Sequence, residues 1–124
     1  MNRMLSTTLA PIAMGPYVQA IDTGTMLFVS GQIGLDPQTL SLAYGLQDQT
    51  RQCLLNLEEI VKAAGYDVHT IVKCTVYLRQ MHEFALMNEA YQSFFQSHKP
   101  ARTTVEVTKL PKYALIEIDA IAVR

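Results

Sequence analysis

An arginine and a glutamate stand near the end of this 124-residue chain, on two runs whose side chains alternate as β-strands require. In Ala101–Val107 the odd positions Thr103, Val105 and Val107 suit a helix-covered core, and Arg102, Thr104 and Glu106 point the other way. In Leu115–Val123 the apolar set Ile116, Ile118, Ala120 and Ala122 belongs inside, which leaves Leu115, Glu117, Asp119, Ile121 and Val123 on the opposite face. Paired as an antiparallel hairpin, the two strands bring Arg102, Thr104, Glu117 and Asp119 to one face of a sheet. The register stays open, with Glu117 beside either Arg102 or Thr104. Because Leu115, Ile121 and Val123 share that face, an oligomer that covers it withdraws the guanidinium and the carboxyl partly from water. There charges interact strongly and pKa values shift, the setting in which a carboxyl can act as acid or base. The same pattern fits a structural ion pair or an interface contact, and patterning alone does not choose between them.

The elements that must position these groups are legible upstream. Tyr17–Ile21 and Met26–Gly31 are β-rich runs flanking Asp22-Thr23-Gly24-Thr25, a hairpin signal in which glycine supplies a positive φ. Residues 34–45 contain Gly34, Asp36, Pro37 and Gly45 and read as a loop. From Leu46 to Ala64, apolar residues at 46, 53, 54, 57, 60, 61 and 64 follow the spacing of one buried helical face, with Gly65 placed to cap the end. Ile71–Arg79 alternates as a half-buried strand. A second helix over about His82–Ser97 turns Phe84, Met87, Tyr91, Phe94 and Phe95 inward and stops before Pro100. The order is ββαβαββ, an α+β sandwich of one sheet with two helices on one face, in a single domain spanning residues 1–124.

Composition narrows the partners. Hydrophobic residues make up 49% and charged residues 17%, below the roughly 25% usual for soluble domains. Some of the surface therefore suits a subunit interface. Net charge is −1 with the basic residues scattered, so no nucleic-acid or anionic-membrane footprint is expected. Cys53 and Cys74 sit inside patterned segments and read as small buried hydrophobes in a reducing compartment. The stretch from Met1 to Thr8 lacks a continuous apolar run, and no segment approaches the roughly 20 residues of a membrane span, so an intracellular, cytoplasmic protein is expected. His69, His82 and His98 lack ligand-like spacing, and no metal site is expected. Ser30 has no motif partner for a hydrolase triad.

Several segments in order resemble the Rid (YjgF-like) family of reactive-intermediate deaminases. Ala10-Pro11-Ile12-Ala13-Met14-Gly15-Pro16-Tyr17-Val18-Gln19-Ala20 is similar to its AP-A--GPY-QA opening, and Phe28-Val29-Ser30-Gly31-Gln32-Ile33 to its V-SGQI strand. Gln49–Gln52, Ala63-Ala64-Gly65, Ile71–Val76 and Met87-Asn88-Glu89-Ala90-Tyr91 follow the same pattern, as do Pro100-Ala101-Arg102, Leu110-Pro111-Lys112 and Ile116–Ala122. The resemblance implies a chorismate-mutase-like fold assembled as a homotrimer, with a central β-barrel, helices outside, and an active site in each cleft between subunits. It implies cofactor-independent hydrolysis of 2-iminobutanoate and 2-iminopropanoate, and of their enamine tautomers, to 2-keto acids and ammonia, a form of metabolite damage control. Arg102 maps to the carboxylate-binding arginine and Glu117 to the site glutamate. Tyr17, Ser30, Gly31 and Asn88 map to the remaining site positions. Many members read PARSC where this chain has Pro100-Ala101-Arg102-Thr103-Thr104, so the Thr104 hydroxyl replaces a thiol in the pocket, and activity that depends on a reactive cysteine is not expected.

In that scheme the planar fork of Arg102 grips the substrate carboxylate bidentately. Glu117 activates a water and returns a proton to the departing nitrogen. Tyr17 orients substrate or water, and Gly31 lets the main chain approach the ligand. A competing reading keeps the same clefts in a non-catalytic trimer that binds small carboxylates. A second, a ribonuclease or translation inhibitor, meets an acidic net charge and no basic groove.

Overall fold

The structure, a computed structural model, describes residues 2–124; Met1, where the N-terminal stretch read above begins, lies outside the described residues. Among these residues one mixed sheet holds six strands in the order β1-β2-β3-β6-β4-β5. The strands are β1 (Arg3–Leu5), β2 (Ala20–Asp22), β3 (Met26–Ile33), β4 (Ile71–Leu78), β5 (Ala101–Glu106) and β6 (Ile116–Val123). Two helices, α1 (Gly45–Ala63) and α2 (Phe84–Phe95), pack on one face. This is the expected α+β layering, with one more strand at the N-terminus than the ββαβαββ order allowed.

The hairpin between β2 and β3 turns at Gly24, whose φ is +103°, with the Thr23 amide donating to the Met26 carbonyl at 2.8 Å. Helix α1 stops where Gly65 adopts φ +85°. The Gly65 amide then reaches the Lys62 carbonyl, and the Tyr66 amide reaches that of Val61, a Schellman closure. Its inner stripe of Cys53, Leu54, Leu57, Ile60 and Val61 meets Leu27 and Val29 of β3, Cys74, Val76 and Leu78 of β4, and Ile116, Ile118 and Ala120 of β6. Each such aliphatic side chain taken fully from water stabilises the fold by about 1.5–3 kcal/mol. Buried polar side chains tie the loop after β3 to α1. Asn56 Nδ2 donates to the Leu35 carbonyl at 3.0 Å, and Gln49 bridges the Ala43 carbonyl and the Leu115 amide. Gly34 permits that crossing, since a Cβ there would lie 2.7 Å from Gln49 Cα.

Two expectations about the sheet are overturned. It does not close into a barrel: it is open, with β1 bonded only to β2 and β5 only to β4, at opposite ends of the strand order. Nor do the last two strands form a hairpin. β5 runs parallel to β4, with α2 as the crossover, and β6 inserts antiparallel between β3 and β4. The chain between β5 and β6 therefore passes across the end of β4, through a turn at Pro111–Tyr113 in which Lys112 and Tyr113 take φ of 55° and 60°.

Candidate active site

The inserted position of β6 separates the two groups with which the sequence reading began. Along β6 burial alternates as expected, with Ile116, Ile118, Ala120 and Ala122 inside and Glu117, Asp119, Ile121 and Val123 half-buried on the uncovered face. Along β5 the expected sides are reversed. Arg102 lies beside Cys74 and Thr104 beside Val76, both core residues, so Arg102 and Thr104 face the helices, whereas Thr103 and Val105 are exposed. Glu117 lies beside Tyr77, three residues further along β4 than Cys74 and on the other side of the pleat. The expected convergence of Arg102, Thr104, Glu117 and Asp119 on one face of a single chain is thus not found. Polarity misled because β5 is an edge strand only partly roofed by α2, where a long cationic side chain finds room.

The Glu117 side opens into a cavity of about 320 Å³ lined by Tyr17, Gly31, Gln32, Ile33, Lys112 and Glu117, with Ile12 and Met14 on an apolar wall. Its floor is shaped by a β-bulge. Val29 pairs with Ala120 and Gln32 with Ile118, so Ser30 and Gly31 together oppose Asp119 alone. Ser30 Oγ donates to the Val18 carbonyl at 2.6 Å and the Ser30 amide to the Gln19 carbonyl at 2.9 Å, fastening the loop that carries Tyr17. Buried Gln19 holds the preceding loop through the Thr7 and Pro11 carbonyls. Tyr17, expected to open a strand, lies instead in this loop before β2, with its ring half exposed (51%). Burial raises the Glu117 carboxyl above its ordinary value of 4.5, and the neighbouring Asp119 charge adds to the shift. Asp119 is engaged by the Tyr77 hydroxyl at 3.0 Å and the Thr75 amide at 3.3 Å.

The Arg102 side borders a second cleft, of about 490 Å³, which it shares with Asn88, Tyr91, Gln92, His98 and Lys99. Thr104 lies one pleat along, with a buried hydroxyl that finds no hydrogen-bond partner among the described residues. The Tyr91 hydroxyl is likewise without a partner; the neighbouring Cys74 thiol interacts with it without meeting hydrogen-bond geometry. Burial pushes the Tyr91 phenol up and the Cys74 thiol to about 11, so both stay protonated at neutral pH. The sequence reading placed Tyr91 in the core. Its second role, lining this cleft, is signalled only by its spacing from Asn88 on the same helix.

Of the sequence-predicted residues, then, Tyr17, Gly31 and Glu117 meet in one cavity, with Ser30 beneath them. Asn88 and Arg102 meet in another, with Thr104 beside them. Lys112 and Gln19 were missed; Lys112 follows Pro111 in the turn that crosses β4, a position no local pattern links to β6. Among the described residues no group of three or more His, Cys, Asp and Glu is placed to hold a metal ion, and no helix is long and apolar enough to cross a membrane.

The comparisons with known proteins cover nearly the whole chain. The model of the family described as Endoribonuclease L-PSP matches residues 7–124. A RutC family protein of Pyrococcus horikoshii is 50% identical over 98% of both chains. The 2-iminobutanoate/2-iminopropanoate deaminase of Salmonella typhimurium is 48% identical, over 100% of this chain and 99% of its own. Among solved structures, Escherichia coli TdcF with bound serine superposes with a TM-score of 0.95 at 46% identity, covering 98% of each chain. With motifs, overall superposition and end-to-end identity in agreement, the chain belongs to the Rid (YjgF-like) family.

Proposed function

We infer that this protein is a 2-iminobutanoate/2-iminopropanoate deaminase, hydrolysing reactive imines and their enamine tautomers to 2-keto acids and ammonia. The observation that carries the reading is the 48% identity, across essentially the full length of both chains, to the Salmonella deaminase. The enamine first takes a proton at C3 to become the 2-imino acid. Water adds to C2, its oxygen forming the new bond while its proton passes to a base. The tetrahedral carbinolamine, whose nitrogen has taken that proton back from the base, then passes its hydroxyl proton to nitrogen by the same route and expels ammonia as the C2–O bond becomes a carbonyl. Glu117, half-buried with a raised pKa, suits both proton transfers: it accepts from water and returns a proton to nitrogen. Arg102 binds the carboxylate with its two-pronged fork. Tyr17 and Asn88 orient the substrate, and the Ser30–Gly31 main chain lies against it.

Because Arg102 and Glu117 leave one chain on opposite faces of the sheet, a complete site draws the Glu117 cavity from one copy and the Arg102 cleft from the next. The protein works as a homotrimer with sites between subunits. The half-buried Ile121 and Val123 and the exposed Phe28 on the uncovered face fit contact with another copy. The test is a coupled assay in which a pyridoxal-phosphate dehydratase generates the imine from threonine or serine. Wild type accelerates keto-acid formation over the unaided rate and Arg102→Ala abolishes the acceleration; equal rates with and without the wild-type protein overturn the reading.

A further inference from the structure

Arg3 and Arg124 both hold Asp22 at 3.0 Å, and Arg51 holds Asp48 at 2.9 Å. Arg79 and Arg102 are different: among the described residues no carboxylate meets either, and the one side-chain hydrogen bond of Arg102 goes to the Met87 sulfur at 3.8 Å. The Arg102 guanidinium carbon instead sits 4.8 Å from the centre of the Tyr91 ring and 5.5 Å from that of Phe84. Phe84, Met87 and Tyr91 stand at i, i+3 and i+7 of α2, so they form one stripe along the helix, and β5 lays Arg102 against it.

We propose that this stripe is a cradle that positions Arg102 for substrate, with Phe84 and Tyr91 as positioning residues. The inference rests on the reading of Arg102 as the carboxylate-binding group. An aromatic face attracts a cation through its quadrupole, and a thioether is soft and polarisable. Neither takes up the strong N–H donors as a carboxylate would. A guanidinium is weakly hydrated and stacks readily, so it tolerates this setting where an ammonium would not. The cradle thus fixes the direction of the fork while leaving its donors free for an incoming anion. An acidic neighbour would have held the arginine just as firmly and competed with the substrate.

Phe84 is partly exposed (38%), so replacing it spares the core and separates positioning from folding. Phe84→Leu is expected to raise KM for the imine, and the Kd for the inert product 2-oxobutanoate measured by calorimetry, about three- to tenfold. With a positioning role alone kcat stays within about twofold, and Phe84→Tyr, which restores a ring face, returns both constants toward wild type. Tyr91→Leu acts in the same direction and Tyr91→Phe rescues it. A folded, active Phe84→Leu protein with unchanged KM and Kd overturns the cradle. Wild type that binds 2-oxobutanoate without hydrolysing imines overturns the deaminase reading alone, and the Kd series then still decides the cradle. Wild type that neither binds 2-oxobutanoate nor accelerates imine hydrolysis overturns both.

Discussion

Gly31 faces Glu117 across the β3–β6 ladder so closely that a Cβ built on the glycine would lie 2.9 Å from Glu117 Cδ and closer still to its Oε2. Real side chains do not approach to that distance, so the carboxyl of Glu117 occupies space that only glycine leaves free. Gly31→Ala is expected to displace the carboxyl and lower kcat by about 10²-fold, the scale of losing one well-placed acid–base group. Circular dichroism should stay native. Full activity in the alanine variant would mean that the carboxyl position is not what the reaction needs.

With Glu117 as the proposed base, the acid side of the rate profile should follow its carboxyl. Its carboxyl must be ionised to accept a proton from water, and burial raises its pKa above 4.5. The acid limb of kcat/KM should therefore fall at a pH above that ordinary value, and Glu117→Gln should remove the limb along with most activity. Stability moves the other way. Because the folded pKa is raised, the fold is favoured with the group neutral, and that advantage is lost as pH rises through the raised value. Glu117→Gln should thus match wild type in Tm near about pH 4 and exceed it near about pH 8. An identical gap at both pH values would contradict this.

Shared sites predict complementation. Arg102→Ala and Glu117→Gln proteins, each inactive alone, should regain activity when unfolded together in equal amounts and refolded. In a ring whose every site takes Glu117 from one copy and Arg102 from the next, random mixing leaves about a quarter of the sites intact. Recovery near a quarter of wild type supports sites between copies; none would place both groups within one chain's own site.

Asp22 controls acid sensitivity away from the chemistry. It is 2% exposed and is met by the Gly24 amide and the Tyr66 hydroxyl, each at 2.8 Å, and by Arg3 and Arg124. The Gly24 amide bond above all, with the Arg3, Tyr66 and Arg124 contacts, holds its pKa down at about 2. The stability it contributes is complete above the ordinary value of 3.8 and is lost as pH falls through about 2. Asp22→Asn should lower Tm at neutral pH, and the difference should shrink below about pH 4 and vanish near pH 2. A pH-independent difference would assign the loss to packing.

What the sequence made legible tracks how unambiguous each strand pattern is. In β6 every second residue is aliphatic or alanine, so its two faces could be read directly, and Glu117 fell where expected. In β5 the two faces read Thr103 and Val105 against Arg102 and Thr104, a contrast too weak to orient an edge strand. The ring faces that make Arg102 acceptable beneath α2 belong to residues distant in the chain. The separation of β5 from β6 was hidden for a related reason. Insertion of β6 between β3 and β4 is decided by long-range pairing, whereas neighbouring strands in sequence invite a hairpin. The motif positions were readable one by one; their division between two cavities of a single chain was not.

The bulge in β3 is an insertion that the rest of the ladder does not need. Val29 points inward, Ser30 outward and Gln32 inward again, so excising Gly31 alone would leave a strand in perfect phase with β6. Such a deletion would yield a smoother, plainer sheet that has lost the niche for the carboxyl. The niche for that carboxyl is in that sense owed to a single surplus residue, separable from the architecture that carries it.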